Sequence, residues 1–177
     1  MIYGVFALLG LALLAADQWV KAWTVAHFAA PVGASVVTAD PPRELLRGVV
    51  ELTRVHNYGA AWSSFSGSRL FLLALTAAIS AAVLILLVRR VVRHGLGVCA
   101  CCLILAGGLG NFLDRARLGY VVDMLHLTFW PSYPTFNVAD MAIVVGALLG
   151  AVYYLFLYEK YDKKERSNGK TDAHGDN

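Results

Sequence analysis

Three aspartates punctuate the apolar part of this chain: Asp114 ends one apolar run in GGLGNFLDR, Asp123 follows in GYVVDML, and Asp140 opens the next run in FNVADMA. An ionisable side chain at membrane depth is costly, so each of them is a functional hypothesis by default. Two carboxyl groups held about 3 Å apart cannot both ionise cheaply; they share one proton and offer a base and an acid at once. Such a pair hydrolyses an amide without a metal or a protein nucleophile. The base takes a proton from water, the water attacks the carbonyl, and the second carboxyl protonates the developing oxyanion. Spacing does not choose the pair, and helix caps or ion pairs account for each aspartate singly as well as catalysis does. A fourth acid, Asp17, precedes Lys21 by one helical turn on a shared face, in the favourable acid-first order. Its bland counterpart is a structural ion pair with a snorkelling lysine.

Other chemistries lack their residues. Cys99, Cys101 and Cys102 lie inside an apolar run with CxCC spacing, which is neither a four-ligand zinc pattern nor a redox CxxC, and read as small packing residues. The five histidines give no HExxH pair; His56 and His126 share a side with the aspartates but lack helical metal spacing. There is no GxSxG elbow, Walker loop or dinucleotide glycine pattern.

The elements that must position these acids are membrane spans. Hydrophobic residues make up 58% of the chain and charged ones 15%, with mean hydropathy +0.60, too apolar for a water-facing surface. The net charge of +3 comes without a basic stripe interleaved with aromatics, which argues against nucleic acid. A helix needs roughly 20 mostly apolar residues to cross a core of about 30 Å. Runs over 1–23, 70–88, 96–113 and 138–158 qualify. The fold class expected is an integral membrane, mainly α protein: four transmembrane helices, a small extracytoplasmic β-sheet and a short extracytoplasmic aromatic segment. A membrane-embedded domain covers 1–158, and a polar cytoplasmic tail covers 159–177. The first run lacks a basic n-region and reads as a retained helix rather than a cleaved signal peptide.

Arg89, Arg90 and Arg93 crowd one short loop, and Lys160, Lys163, Lys164, Arg166 and Lys170 follow the last span; both read as cytoplasmic. Arg43, Arg47, Arg54, Arg69, Arg115 and Arg117 are spread thinly over the opposite side. There, Val36–Val37, Val49–Val50 and Leu52–Val55 have strand character between turns at Pro31, Gly33, Pro41, Pro42 and Gly48. Phe129, Trp130, Tyr133 and Phe136 around Pro131 and Pro134 suit a membrane interface. Ala106 with Gly110, and Gly146 with Gly150, form small-xxx-small faces for close helix approach.

Four blocks in order, DQWVK (Asp17 to Lys21), HNYGAAW (His56 to Trp62), GGLGNFLDRARLGYVVDML (Gly107 to Leu125) and FNVADMA (Phe136 to Ala142), together resemble bacterial lipoprotein signal peptidase, also called signal peptidase II. The resemblance runs from the first span to the fourth. It implies an aspartyl endopeptidase of the bacterial cytoplasmic (inner) membrane that cleaves diacylglyceryl-modified prolipoproteins just before the lipidated cysteine. Carried over, the catalytic pair is Asp123 and Asp140. Asp17, Lys21, Asn57, Gly59, Asn111, Arg115 and Asn137 become supporting or substrate-holding residues, and Asp114 a structural one. No cofactor or metal is implied, no nucleic acid and no required oligomer; the partners are prolipoproteins and membrane lipids. The outer sheet and aromatic segment would form a platform or lid over the pair. Trp62 departs from the family's usual phenylalanine, and Thr38 to Arg47 matches no block. Two other classes stand beside this one. Membrane carboxylates also serve ion pathways, though these lie at span ends without a visible repeat, and a non-catalytic scaffold would tolerate amides at both aspartates.

Overall fold

The computed structural model describes residues 2–60 and 64–163. Met1, Trp62 and the tail cations Lys164, Arg166 and Lys170 lie outside the described residues. Among the described residues, four helices are long and apolar enough to cross a membrane. They are α1 (Ile2–His27), α2 (Arg69–Val88), α3 (Gly95–Arg117) and α4 (Val138–Phe156). α1 runs on past Trp23 to His27, and α3 runs on past Leu113, so that Asn111, Asp114 and Arg115 all belong to one helical face region rather than to a loop. After α4 the chain makes a π-helical turn over Tyr158–Lys163.

α3 is the central span, and α1, α2 and α4 pack around it. Its composition explains this. Lipid tails are as apolar as leucine, so helices in a bilayer associate by close packing rather than by hydrophobicity, and small residues permit it. Val98, Ala100, Cys101, Cys102 and Ala106 are buried on α3, and the cysteines serve as packing residues there. A Cβ on Gly107 would collide with the Ala139 carbonyl, and one on Gly146 would lie 3.0 Å from the Ala100 carbonyl. A Cβ on Gly110 would come within 2.6 Å of Asp17 Oδ2 and 3.1 Å of Ala139 Cβ. Gly150 is looser, its nearest neighbour being Ala100 Cβ at 3.7 Å. Large apolar side chains such as Leu8, Leu11, Leu148 and Leu155 remain exposed on the outside of the bundle, where a bilayer would cover them.

A three-stranded antiparallel sheet closes one end of the bundle, in the order β1 (Arg43–Leu46), β2 (Val50–Asn57), β3 (Val121–Leu127). The register sets Val55 opposite Asp123, His56 opposite Val122 and Asn57 opposite Val121. The expected strand pieces at Val49–Val50 and Leu52–Val55 are parts of one strand, whereas Val36–Val37 contributes only a bridge from Val37 to Val55. β1 and β3 arise where no strand was expected. β1 is a short, wholly exposed edge carrying Arg43 and Glu44, without the alternation that marks a half-buried strand. β3 is covered on both faces at its start, so Val121, Val122, Asp123 and Met124 show no alternation either. The aromatic segment follows: Phe129 and Trp130 are exposed, while Phe136 pairs back onto Leu125.

The arginines at this end have structural work. Arg54 Nη1 donates to the carbonyls of Val25 (3.3 Å) and Phe28 (2.9 Å), and Arg43 Nη2 to that of His27 (2.8 Å), capping the end of α1. Arg69 donates to the carbonyls of Arg115 (2.7 Å) and Ala116 (2.8 Å), capping α3. Helix C-termini leave carbonyls unpaired and carry partial negative charge, so guanidinium groups suit them doubly. Gly107→Ala should therefore destabilise the fold by about 1–3 kcal/mol through overpacking against α4, whereas Gly150→Ala should stay within about 0.5 kcal/mol; thermal melting in detergent separates the two.

Candidate active site

The site is assembled where α1 and α3 end, α4 begins and β3 crosses them. α4 starts with a capping box: the Asn137 side chain accepts from the Asp140 N–H at 2.9 Å, and Asp140 Oδ2 accepts from the Asn137 N–H at 3.1 Å. Asp17 reaches across from α1, and its Oδ1 accepts from the Ala139 N–H at 2.9 Å. A helix start leaves its first N–H groups without intrahelical partners and is electropositive, so carboxylates settle there.

Asn137 also faces the other way. Its Nδ2 donates to Asp123 Oδ1 at 2.6 Å and to Asn111 Oδ1 at 3.1 Å. Asp123 Oδ2 accepts from Asn57 Nδ2 at 3.0 Å, and Asn57 Oδ1 in turn accepts from the Gly59 N–H at 2.9 Å. Asn111 Nδ2 donates to Asp140 Oδ1 at 2.7 Å. One residue, Asn137, thus links both carboxylates, by its side chain to Asp123 and by its backbone N–H to Asp140, and each carboxylate receives a donor on each oxygen.

Behind Asn111 lies an ion-pair cluster. Lys21 Nζ stands 2.9 Å from Asp17 Oδ2, 3.0 Å from Asp114 Oδ2 and 3.0 Å from Asn111 Oδ1, and is buried. Asp114 Oδ2 also accepts from the Val122 N–H at 3.2 Å, tying α3 to β3. Arg115 donates to the Gly59 carbonyl at 2.6 Å. Its Nε is buried and finds no acceptor among the described residues.

All seven expected supporting residues and the two aspartates therefore meet in one place. Two contributors were not expected, Gln18 and Arg54. Gln18 donates to Asp114 Oδ1 at 3.1 Å and to Asp17 Oδ2 at 3.2 Å; its position inside DQWVK was the available signal. Arg54 donates to His56 Nε2 at 3.1 Å, and the His56 ring stacks on Tyr120 with centroids 3.8 Å apart. Tyr133 of the aromatic segment lines the cavity described below. His56 and His126 sit at opposite ends of the β2–β3 ladder, and no group of three metal-ligating side chains forms among the described residues.

Asp123, Asp140, Asn57, Asn111, Arg115 and His56 line a cavity of about 600 Å³. Its apolar wall comes from Leu75 and Ile79 of α2 and from Ile143 and Val144 of α4; Val36, Tyr133 and Phe136 form the side toward the sheet. α2 and α4 both pack on α3 without a substantial interface of their own, so the cavity lies between them. Burial, and secondly the charge of Asp140, push the Asp123 carboxyl up to about 7, against the opposing pull of its two amide donors and Lys21. Burial first, and then Arg54, bring His56 down to about 4, so its ring is neutral at pH 7. A carboxyl that keeps its proton near neutrality beside a second carboxyl has what acid–base hydrolysis needs.

A family model described as signal peptidase (SPase) II matches residues 9–156. The lipoprotein signal peptidase of Enterococcus faecalis is 35% identical over 94% of both chains, and that of Streptococcus thermophilus is 42% identical over 78% of this chain and 84% of its own. A solved bacterial membrane enzyme superposes with a TM-score of 0.73 at 27% identity, covering 92% of this chain and 93% of that one.

The raised Asp123 fixes a sign for stability. The folded state holds its proton more tightly than the unfolded chain, so this contribution is fully present below the ordinary carboxylate value of 3.8 and is lost as pH rises through about 7. His56 acts oppositely, its contribution being lost as pH falls from 6.5 toward about 4. Asp123→Asn leaves His56 in place and removes only the first. The variant should gain on wild type between pH 4 and 7, by on the order of a few kcal/mol, and the gap should close in acid. Parallel melting-temperature curves for the two proteins across that range would contradict the assignment.

Proposed function

The chain belongs to the signal peptidase II family, a family of peptidases that process lipoprotein precursors, and on that membership and the site's geometry we propose a specific reaction. The protein is an aspartyl endopeptidase that removes the signal peptide from diacylglyceryl-modified prolipoproteins just before the lipidated cysteine, with Asp123 and Asp140 sharing one proton and activating water. The observation that carries this reading is Asn137 held between the two carboxylates, its side chain donating to Asp123 Oδ1 and its backbone N–H to Asp140 Oδ2.

The chemistry needs one carboxylate and one carboxylic acid. The carboxylate takes a proton from a water between the pair, and the water oxygen adds to the scissile carbonyl. The acid gives its proton to the oxyanion, and the tetrahedral intermediate collapses as the amine leaves with a proton returned from the pair. The amide donors on every carboxylate oxygen hold the two groups in register through this exchange. Arg115 and Gly59 form a polar corner of the site, and the guanidinium is assigned to hold a substrate carbonyl.

The substrate arrives as a lipidated helix within the bilayer. The opening between α2 and α4 suits lateral entry, since both flanks are apolar and the carboxylates lie at their sheet-side ends. The acyl chains stay in lipid while the scissile bond meets water near the surface. In this reading the sheet end is extracytoplasmic and both termini are cytoplasmic. Its support is the Arg89, Arg90 and Arg93 loop at the far end of α2 and α3, together with the engagement of Arg43, Arg54 and Arg69 in helix capping at the sheet end. Tyr133 and the sheet-side wall form the platform over the pair. No cofactor enters the scheme.

Purified protein in detergent should cleave a diacylglyceryl-modified prolipoprotein peptide without sensitivity to EDTA. Asp123→Asn and Asp140→Asn should each lower the rate by more than about a hundredfold while retaining a cooperative melt. The wild-type rate should fall as pH rises beyond about 7, where the last shared proton is lost. Cleavage that survives in either folded variant would overturn the assignment.

A further inference from the structure

The ion-pair cluster behind the carboxylates has one member that also contacts a neutral side chain of the site. Lys21 pairs with both Asp17 and Asp114, yet its third contact is neutral: Asn111 Oδ1 at 3.0 Å. A side-chain amide can present either its oxygen or its NH2 group to a neighbour, and the neighbours decide. Here Asn111 Oδ1 meets two donors, the Lys21 ammonium and Asn137 Nδ2, while Asn111 Nδ2 meets Asp140 Oδ1 at 2.7 Å. The reversed amide would put NH2 against an ammonium and another NH2, and its oxygen against a carboxylate. All three contacts would become repulsive.

We propose that Lys21 is a positioning residue that fixes the polarity of the Asn111 amide, so that an N–H rather than a carbonyl oxygen always faces Asp140. The proposal rests on Asp123 and Asp140 being the reacting pair and goes beyond it, because it gives a residue outside the cavity lining a defined action on the reaction. Lys21 does not line the catalytic cavity; it lines a separate one of about 190 Å³ with Gln18, Asp114 and Arg117, on the far side of Asn111. Its influence must therefore pass through Asn111 and through its field. The orientation propagates. With Asn111 Oδ1 fixed as an acceptor, Asn137 can spend one N–H on it and the other on Asp123. Without the cation, Asn111 can turn its oxygen to a protonated carboxyl, trap the proton on Asp140, and leave Asn137 facing NH2.

The charged and titratable groups around the pair are Asp17 and Lys21 from α1, Asp114 and Arg115 from α3, His56 with its partner Arg54 from β2, and Tyr133 from the aromatic segment. The positive field of Lys21 also opposes the upward push on Asp123. Loss of the cation therefore moves the pH–rate profile toward higher pH.

The test separates this action from simple neutralisation. Lys21→Met strands two buried acids and can fail to fold for that reason alone. In Lys21→Met/Asp114→Asn the cluster of residues 17, 21 and 114 keeps its formal charge of −1: two acids and one base in wild type, one acid in the variant. Each is compared with Asp114→Asn, wild type and Lys21→Arg, for which the adjoining cavity offers room. The double variant should show kcat about tenfold or more below Asp114→Asn with KM within about twofold, and a profile displaced by roughly one unit to higher pH. Lys21→Arg should restore both. The proposal is overturned if the folded double variant matches Asp114→Asn in kcat and pH profile, or if Lys21→Arg behaves like the double variant. The reading beneath it fails by a different result, cleavage by Asp140→Asn, so the two failures are distinguishable.

Discussion

Four carboxylates are gathered at one end of a helical bundle where little water reaches them, and two cations, Lys21 and Arg115, stand among them. Asp17, Asp114 and Asp123 are buried, as are both cations, and Asp140 is half-buried at the cavity. If all were ionised the cluster would carry −2, and in a medium of low dielectric that excess is costly. The cluster resolves it unevenly. Lys21 contacts Asp17 and Asp114 directly, so those two stay paired at the back. No cation contacts Asp123 or Asp140 among the described residues; amides do, and amides stabilise a carboxylate without cancelling its charge. Burial raises the Asp123 carboxyl, so the front of the cluster is where a proton is most readily retained. Where the cations stand separates two ion-paired acids from two held by amides alone.

The same economy of donors governs the helix ends. α1 and α3 terminate at the sheet with free carbonyls, and α4 begins there with free N–H groups. Arg43, Arg54 and Arg69 satisfy the first two, and Asp17, Asn137 and Asp140 the third. Asp140 serves the cap and the cavity at once. Its Oδ2 closes the capping box while its Oδ1 faces Asn111, so the secondary structure itself restricts the rotamer of a carboxylate that lines the cavity. The arginines spent on caps also account for the weak charge asymmetry of the loops: residues counted as topology signals are engaged in carbonyl binding instead.

Much of this was legible in the sequence, because a bilayer imposes strong constraints. Spans of the required length, small-residue faces and acids at span ends follow from hydropathy and cost alone. The pairing of Asp123 with Asp140, in contrast, came from resemblance, since Asp123 sits on a strand that had no sequence signature. Val121 to Met124 are buried on both faces, which erases the alternation by which strands are read, and the neighbouring prolines and aromatics pointed to a loop. Strand β1 escaped notice for the opposite reason, being exposed throughout. Arg54, Arg69 and Gln18 were missed because their partners are backbone carbonyls and side chains on other helices, and nothing local records that.

Close packing and site geometry turn out to be one feature. The approach of α4 to α3 is set by Gly107 and Gly146, and that of α1 to both by Gly110, whose missing Cβ leaves the space that Asp17 Oδ2 occupies. A methyl group at Gly110 would push Asp17 away from Ala139 and from Lys21 together. That would release the cap on α4 and one arm of the ion-pair cluster in a single step. In water such a site could be held by a large hydrophobic core that tolerates small adjustments elsewhere. In a bilayer the helices are held mainly by interdigitation at small residues, so the contacts that make the bundle stable are the contacts that place Asn111, Asn137 and Asp140 within hydrogen-bond reach. A chain under this constraint has little freedom to vary its packing face without moving its chemistry.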